Sequence, residues 1–348
     1  MGSQVASLLA VHRPELPVRL TSRSDRGADD AGTSWLQLDL GNPKPFAFEA
    51  RAVMVVVNDP ADRILRACIA AEVPFVDITR YTPRMRDALR LADSAGATSP
   101  VVLASGWMGG VVPLAMRVLA DEVGKPERLV ASIVYDLADA AGPDSVEFMD
   151  RMDQRFDVTI DGQVRSTRPL SSAGVVRVGE RRRRMLHLDT PEQFTVPRSL
   201  GVASVITRIG FSSEAATTAL RALGGVGFFH AARSNRFQSM RRSLLYSDGS
   251  GGTAQLRVDA WGTRGHRGLQ VTDPQGQAHL TACGALVALD IALDAAARKP
   301  GSAVIFPEQA ADPASHLQSL RACGVVMQEP HDDGGRQDDS SGRRDQGR

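Results

Sequence analysis

Residues 52–58 read AVMVVVN, apolar at every position but the last. β-Branched side chains lose rotamer freedom in a helix and pack well on a pleated surface. A run without polar alternation needs cover on both faces, so it reads as a strand inside a parallel sheet. Parallel neighbours need crossovers, and the sequence supplies them. Asp59 and Pro60 stand directly after the run as an N-cap and a first helical residue for DPADRILRACIAAEV, an arrangement that supplies an acceptor and loses no useful backbone donor. The order then repeats as strand 74–79, helix to Gly96, strand 100–106 and helix 112–123. Strands alternating with helices of this length predict βαβ units and a doubly wound α/β sheet. Ahead of them, residues 2–10 carry Val5, Leu8 and Leu9 at helical spacing, and strands are expected at VRLTSR and WLQLDL.

Beyond Gly124 the texture changes. Segments such as RLVASIVYD, FDVTIDGQVRS, RRRMLHLD and AQLRVDAWGT are alternating or β-branched and joined by Asp-Gly or Gly-rich turns, which predicts a mainly antiparallel sheet. Helices are expected at 145–152, 213–223 and 281–297. A length of 348 residues suits two compact units. The tail 331–348 has no aliphatic or aromatic residue and reads as disordered.

Basic and acidic side chains number 41 and 40, a balance that gives no field for nucleic acid or an anionic membrane. Cys68, Cys283 and Cys323 form no C-x-x-C pair, so neither a metal site nor a disulfide framework is indicated. No basic leader precedes the first apolar run, and no stretch of about 18 consecutive apolar residues occurs. A cytoplasmic protein with no membrane or nucleic-acid partner is expected.

In order and spacing, GSQVASLLA, VRLTSR, VMVVVNDPADRILRACIAAEVPFVDITR, VVLASGWMGGVVPLAM, YDLADAAGPDSVEFMDRM and TACGALVALDIAL resemble the saccharopine dehydrogenase-like NAD(P)-dependent reductases. The resemblance runs from Gly2 to about Met327. It implies a Rossmann-like NAD(P)-binding domain over 1–124 completed by helix 279–297. It further implies an inserted α+β substrate or dimerisation domain over 125–278, a segment 298–330 packing back, and room for a homodimer. Such reductases open on a strand and a glycine-rich turn. Here Gly2 matches the last glycine of that motif, the one that lets helix and strand approach; the strand and the pyrophosphate glycines have no counterpart in this sequence. In the doubly wound order 3-2-1-4-5-6 that strand is central, so its loss parts its neighbours by about 9.6 Å. A start within the motif and a true loss of the phosphate cradle are the two readings.

The resemblance places cofactor contacts at Gly2, Ser22, Arg23, Asp39, Asn58, Asp59, Pro60, Thr79 and Gly106. Ser22 and Arg23 end the second expected strand, where hydroxyl and guanidinium groups suit a 2′-phosphate, so NADP is expected, with NAD as the alternative. A solvated strand end, a loop carboxylate at Asp39 and plain helix capping by Asp59 are the competing structural readings. Trp107 offers a flat wall to a nicotinamide or substrate. Tyr81, Tyr135, His187 and His230 are candidate proton donors, none of them in a diagnostic motif. The run Arg181–Arg184 reads as a solvated strand edge.

These features predict an oxidoreductase moving hydride between NADP(H) and a small polar amino, imino or keto metabolite. A non-catalytic relative that keeps the fold as a binding or scaffold protein, and a nucleotide-using isomerase or epimerase, are the alternatives.

Overall fold

A computed structural model describes residues 1–22, 34–39, 41, 50–105, 107–139, 151–226, 228–231, 251–298 and 303–330. The expected helix at 145–152 and the tail therefore fall largely or wholly outside the described residues. The chain divides into two compact units, one of Met1–Leu114 with Thr281–Cys323 and one of Ala115–Leu280 with Gly324–Arg348.

The first unit is α/β. Helix α1 (Gly2–His12) precedes strands β1 (Arg19–Ser22) and β2 (Ser34–Gln37), which pair in parallel as a sheet of their own. A second sheet holds β3 (Val53–Val55), β4 (Phe75–Arg80), β5 (Val101–Ser105) and β14 (Val304–Ile305), all parallel, in the order β14-β5-β4-β3. Helices α2 (Arg63–Ala70) and α3 (Thr82–Ser94) follow β3 and β4, and α4 (Val111–Glu122) follows β5, its first four residues in this unit and the rest in the second. The break expected between the second predicted strand and the valine run is present, since no ladder joins the β1–β2 pair to β3.

That break corrects the reading of the valine run. Strand β3 spans three residues and, among the described residues, ends its sheet, so it has a ladder partner on one side only. Val55 is buried while Val53 and Met54 are half-buried, and Val57 is 51% exposed. Strands β4 and β5 are buried along their whole length instead. The helix start is also displaced. Helix α2 begins at Arg63, after a left-handed Asp62, and exposed Pro60 lies in the preceding turn. The N-cap is Asp62 and not Asp59, although Asp59 Oδ2 accepts from the Ile64 amide at 2.8 Å and so serves one of the helix's free donors.

The second unit carries the nine-stranded, mainly antiparallel sheet that the alternating segments predict. It contains β6 (Pro126–Tyr135), β7 (Phe156–Ile160), β8 (Gln163–Thr167), β9 (Ser172–Val178), β10 (Arg181–His187), β11 (Ser204–Phe211), β12 (Ala254–Gly262), β13 (Gly265–Asp273) and β15 (Val326–Gln328). The order is β15-β13-β12-β6-β11-β10-β9, with β7 beside β11 and β8, and only β6–β11 is parallel. Helices α5 (Glu192–Leu200), α6 (Glu214–Gly225) and α7 (Phe228–Ala231) accompany it. The arginine run is not an edge. Strand β10 lies between β9 and β11, and Arg183 turns back to donate through Nη1 to the Phe211 and Ser212 carbonyls at 3.2 and 3.1 Å.

Helix α8 (Gln277–Arg298) has the length and hydropathy of a membrane span, by composition alone. Its Leu280, Ala282, Cys283, Ala285 and Ala292 are buried within the protein.

Candidate functional site

In an open parallel sheet the strands end together, and the loops beyond their carboxyl ends collect whatever the sheet binds. In the first unit those loops begin at Val56 after β3, Tyr81 after β4 and Trp107 after β5. The shape of the first two is set by a buried charge network that starts inside β4. The stretch FVDITR puts Asp77 at 1% and Arg80 at 1% exposure, and two such charges persist only when paired. Arg80 Nε lies 2.8 Å from Asp77 Oδ2, and Arg80 Nη1 lies 2.7 Å from Asp62 Oδ1. The same Asp62 oxygen is 2.7 Å from Arg84 Nη2, one turn into α3. Arg84 also donates to Asn58 Oδ1 and to the Asp59 carbonyl. One carboxylate thus joins two arginines, and the second arginine holds the loop that follows β3.

Asp62 sits at φ 51°, a conformation costing a non-glycine residue on the order of 1–3 kcal/mol unless its surroundings impose it. The two arginines supply that constraint. Asp77 completes the corner, its Oδ1 accepting from the Thr79 amide at 2.8 Å and the Thr79 hydroxyl at 2.7 Å. The Thr79 hydroxyl and the Asp59 carboxylate therefore act on loop shape. Asn58, Tyr81 and Trp107 are half-buried and Pro60 is exposed, so these four side chains at the edge reach solvent, as do Val57 and Ala61.

The loop after β5 is built differently. Trp107 donates its amide to Ser105 Oγ at 3.0 Å, Met108 and Gly109 adopt left-handed backbone, and a 3-10 turn over Met108–Gly110 leads into α4. A Cβ on Gly109 would stand 2.5 Å from the Thr281 carbonyl oxygen, and one on Gly284 2.5 Å from the Met108 carbonyl oxygen. This loop and α8 meet backbone to backbone, which only glycine allows.

Of the residues singled out by sequence, Asn58, Asp59, Pro60, Thr79, Tyr81 and Trp107 gather at this edge. Gly2 opens α1 near it, where a Cβ would meet Val56 Cγ2 at 3.5 Å, an ordinary contact, so the approach is close without demanding glycine. Ser22 ends β1, half-buried. Asp39 is exposed and accepts from the Gly41 amide at 2.8 Å. Arg23, Gly106 and the His230 side chain lie outside what the structure describes. Asp62, Asp77 and Arg84 were not singled out; the signal available was the tight D-x-x-R-x-x-x-R spacing of residues 77–84 after a buried strand.

Tyr135 and His187 belong to the second unit. Tyr135 is 5% exposed and meets Phe211 edge to face at 6.0 Å. Burial, with a smaller contribution from the Arg208 charge, pushes the His187 imidazole down to about 4, so it is neutral at pH 7 and a poor acid there. A histidine depressed in the folded state stabilises fully above its unfolded value of about 6.5 and loses that contribution as pH falls toward 4. Unfolding free energy should therefore drop by about 3 kcal/mol across that window. Denaturant titrations of His187→Gln should show a flatter pH dependence; an identical slope in both proteins would refute the assignment.

No family model and no curated protein matches the sequence. Among solved structures, 46 chains match. A myo-inositol dehydrogenase from Corynebacterium glutamicum is 12% identical over 94% of this chain and 96% of its own, with a TM-score of 0.43. For a putative myo-inositol dehydrogenase from Sinorhizobium meliloti the values are 11%, 93%, 95% and 0.45. For a biliverdin reductase from Synechocystis, solved with biliverdin and NADP+, they are 12%, 92%, 94% and 0.39. At these identities, and with TM-scores below 0.5, the functional reading of this chain rests on its own residues.

Proposed function

We propose that the chain is an NAD(P)-dependent oxidoreductase of the saccharopine dehydrogenase-like kind, moving hydride between NADP(H) and a small polar amino, imino or keto metabolite. The observation that carries this reading is the Asp77–Arg80–Asp62–Arg84–Asn58 network. It invests several buried charges in the shape of one loop at the carboxyl edge of a parallel sheet, where dinucleotides bind in such sheets. The residues present fit the cofactor at a second point. Helix α1 has no side-chain cap and no acidic residue in its first turn, which leaves its amide end suited to an anionic oxygen.

In this reading Ser22 and Arg23 take the ribose 2′-phosphate. The loop around Asn58 and Pro60 borders the adenosine half, and Tyr81 and Trp107 wall the reacting half against water. The cofactor supplies the hydride chemistry when bound; the protein orients it and keeps the loops rigid, so that little reorganisation is left for the reacting complex.

Calorimetric titration of the full chain should show NADPH binding more tightly than NADH. Arg23→Ala should weaken NADPH by about ten- to a hundredfold, the range of a charge-assisted contact, and leave NADH unchanged. Equal affinity for the two would defeat the role of Arg23. Absence of binding by either would defeat the enzyme reading and favour a scaffold protein.

A further inference from the structure

At the opposite end of α1 the first unit holds a solvent-open cavity of about 410 Å³, within the size range of small-molecule sites. Gly2 lies by Val56 at the carboxyl edge of the sheet, and Arg13 follows the last turn of α1, so the cavity stands roughly 16 Å along the helix from the loops described above. Glu15 and Leu16 line it after α1, Arg51 just before β3, Leu293 and Asp294 from α8, and His316 from α9 (Pro313–Ser319).

Two further lining charges are committed to each other. Arg13 donates through Nε to Asp290 Oδ1 at 3.1 Å and through Nη2 to Oδ2, and its Nη1 goes to the His12 carbonyl at 2.7 Å. The remaining groups are not so engaged. Among the described residues Arg51 makes no side-chain hydrogen bond or ion pair, and Glu15 makes none either, acting on Arg13 through its charge alone. Asp294 Oδ2 stands 3.5 Å from His316 Nε2 and 3.8 Å from Arg298 Nη2, beyond a proper hydrogen bond. His316 itself is only 9% exposed.

The cavity therefore presents one uncommitted guanidinium, two loosely held carboxylates and an aliphatic floor of Leu16 and Leu293. We propose that it is a binding site for a free aliphatic α-amino acid, separate from the cofactor edge. The ligand carboxylate pairs with Arg51, whose planar fork matches it. The ammonium sits between Glu15 and Asp294, and the hydrocarbon lies on the two leucines. A mixed set of charges selects a zwitterion, because a ligand with only one of the two groups leaves its unmatched counterparts without a partner. The assignment is independent of the oxidoreductase reading.

The test is calorimetric titration of the full chain with L-leucine, alongside 4-methylpentanoate and isoamylamine, which carry the carboxylate or the amine alone. L-Leucine should bind in the millimolar range and each half-ligand at least tenfold more weakly. Arg51→Gln and Asp294→Asn, both at exposed positions, should each weaken L-leucine at least tenfold while NADPH titrations stay unchanged. Binding of the two half-ligands as tight as L-leucine, or an Arg51→Gln variant that binds like the wild type, would overturn the proposal. So would the absence of binding by L-leucine, L-valine and L-alanine at roughly ten times the expected dissociation constant, where a real site is nearly saturated.

Discussion

Asp62→Ala is expected to cost about 3–5 kcal/mol of stability, because it leaves Arg84 a buried cation with only neutral acceptors and Arg80 with Asp77 alone. In a protein of this size that is a fall in melting temperature on the order of 10 °C. Arg84→Ala should act in the same direction through a different route, by releasing Asn58 and the Asp59 carbonyl, so NADPH affinity should fall with stability. Arg90→Ala provides the contrast. Its pair with Asp87 has side chains 77% and 53% exposed, and such surface pairs contribute between nothing and about 1 kcal/mol. Thermal and urea melts of the three variants decide the matter. An Asp62→Ala protein within about 1 kcal/mol of wild type would mean that water already solvates the arginines and that the network does not hold the loop.

Gly284→Ala should be nearly as damaging, although alanine is the better helix former by about 1 kcal/mol. The new methyl would stand 2.5 Å from the Met108 oxygen and 2.9 Å from the Gly109 oxygen. Both are backbone atoms with no rotamer to move aside, so helix and loop must separate. Overpacking of this kind costs about 1–3 kcal/mol and sometimes more, and here the upper end is expected. Gly225→Ala, at a helical glycine with nothing within 4 Å, should be neutral or mildly stabilising. If the two alanine variants melt together, the close approach of α8 to the Met108–Gly109 loop is not a constraint on the fold.

The fold class was legible in the sequence because two periodicities alternate: apolar runs at β4 and β5, then helical spacing in α2 to α4. Those helices start and stop within a few residues of where Gly96, Asp59 and the valine run suggest. The antiparallel sheet was legible from its alternation and turns. Position within a sheet was not. Nothing in AVMVVVN distinguishes a strand with two neighbours from one with a single neighbour, because that depends on what lies beside it in space. Nor could RRRR reveal that a carbonyl pair at Phe211–Ser212 awaits Arg183. At the candidate site the loops were found through their place after strands, which is a topological rule. The ion network was missed because Asp62, Asp77 and Arg84 come from three elements and acquire their partners only through tertiary packing.

The one-sided pairing of β3 has a consequence for handling the protein. Along the free side of Val53–Val55, backbone donors and acceptors have no ladder partner among the described residues, and exposed Val57 extends that margin with apolar surface. Such a margin is a template on which a strand of another molecule can pair. With a formal net charge of +1, long-range repulsion between copies is weak. Concentrating the protein is therefore expected to test residues 53–57 first, and a charged replacement of Val57 should raise the concentration at which copies begin to associate.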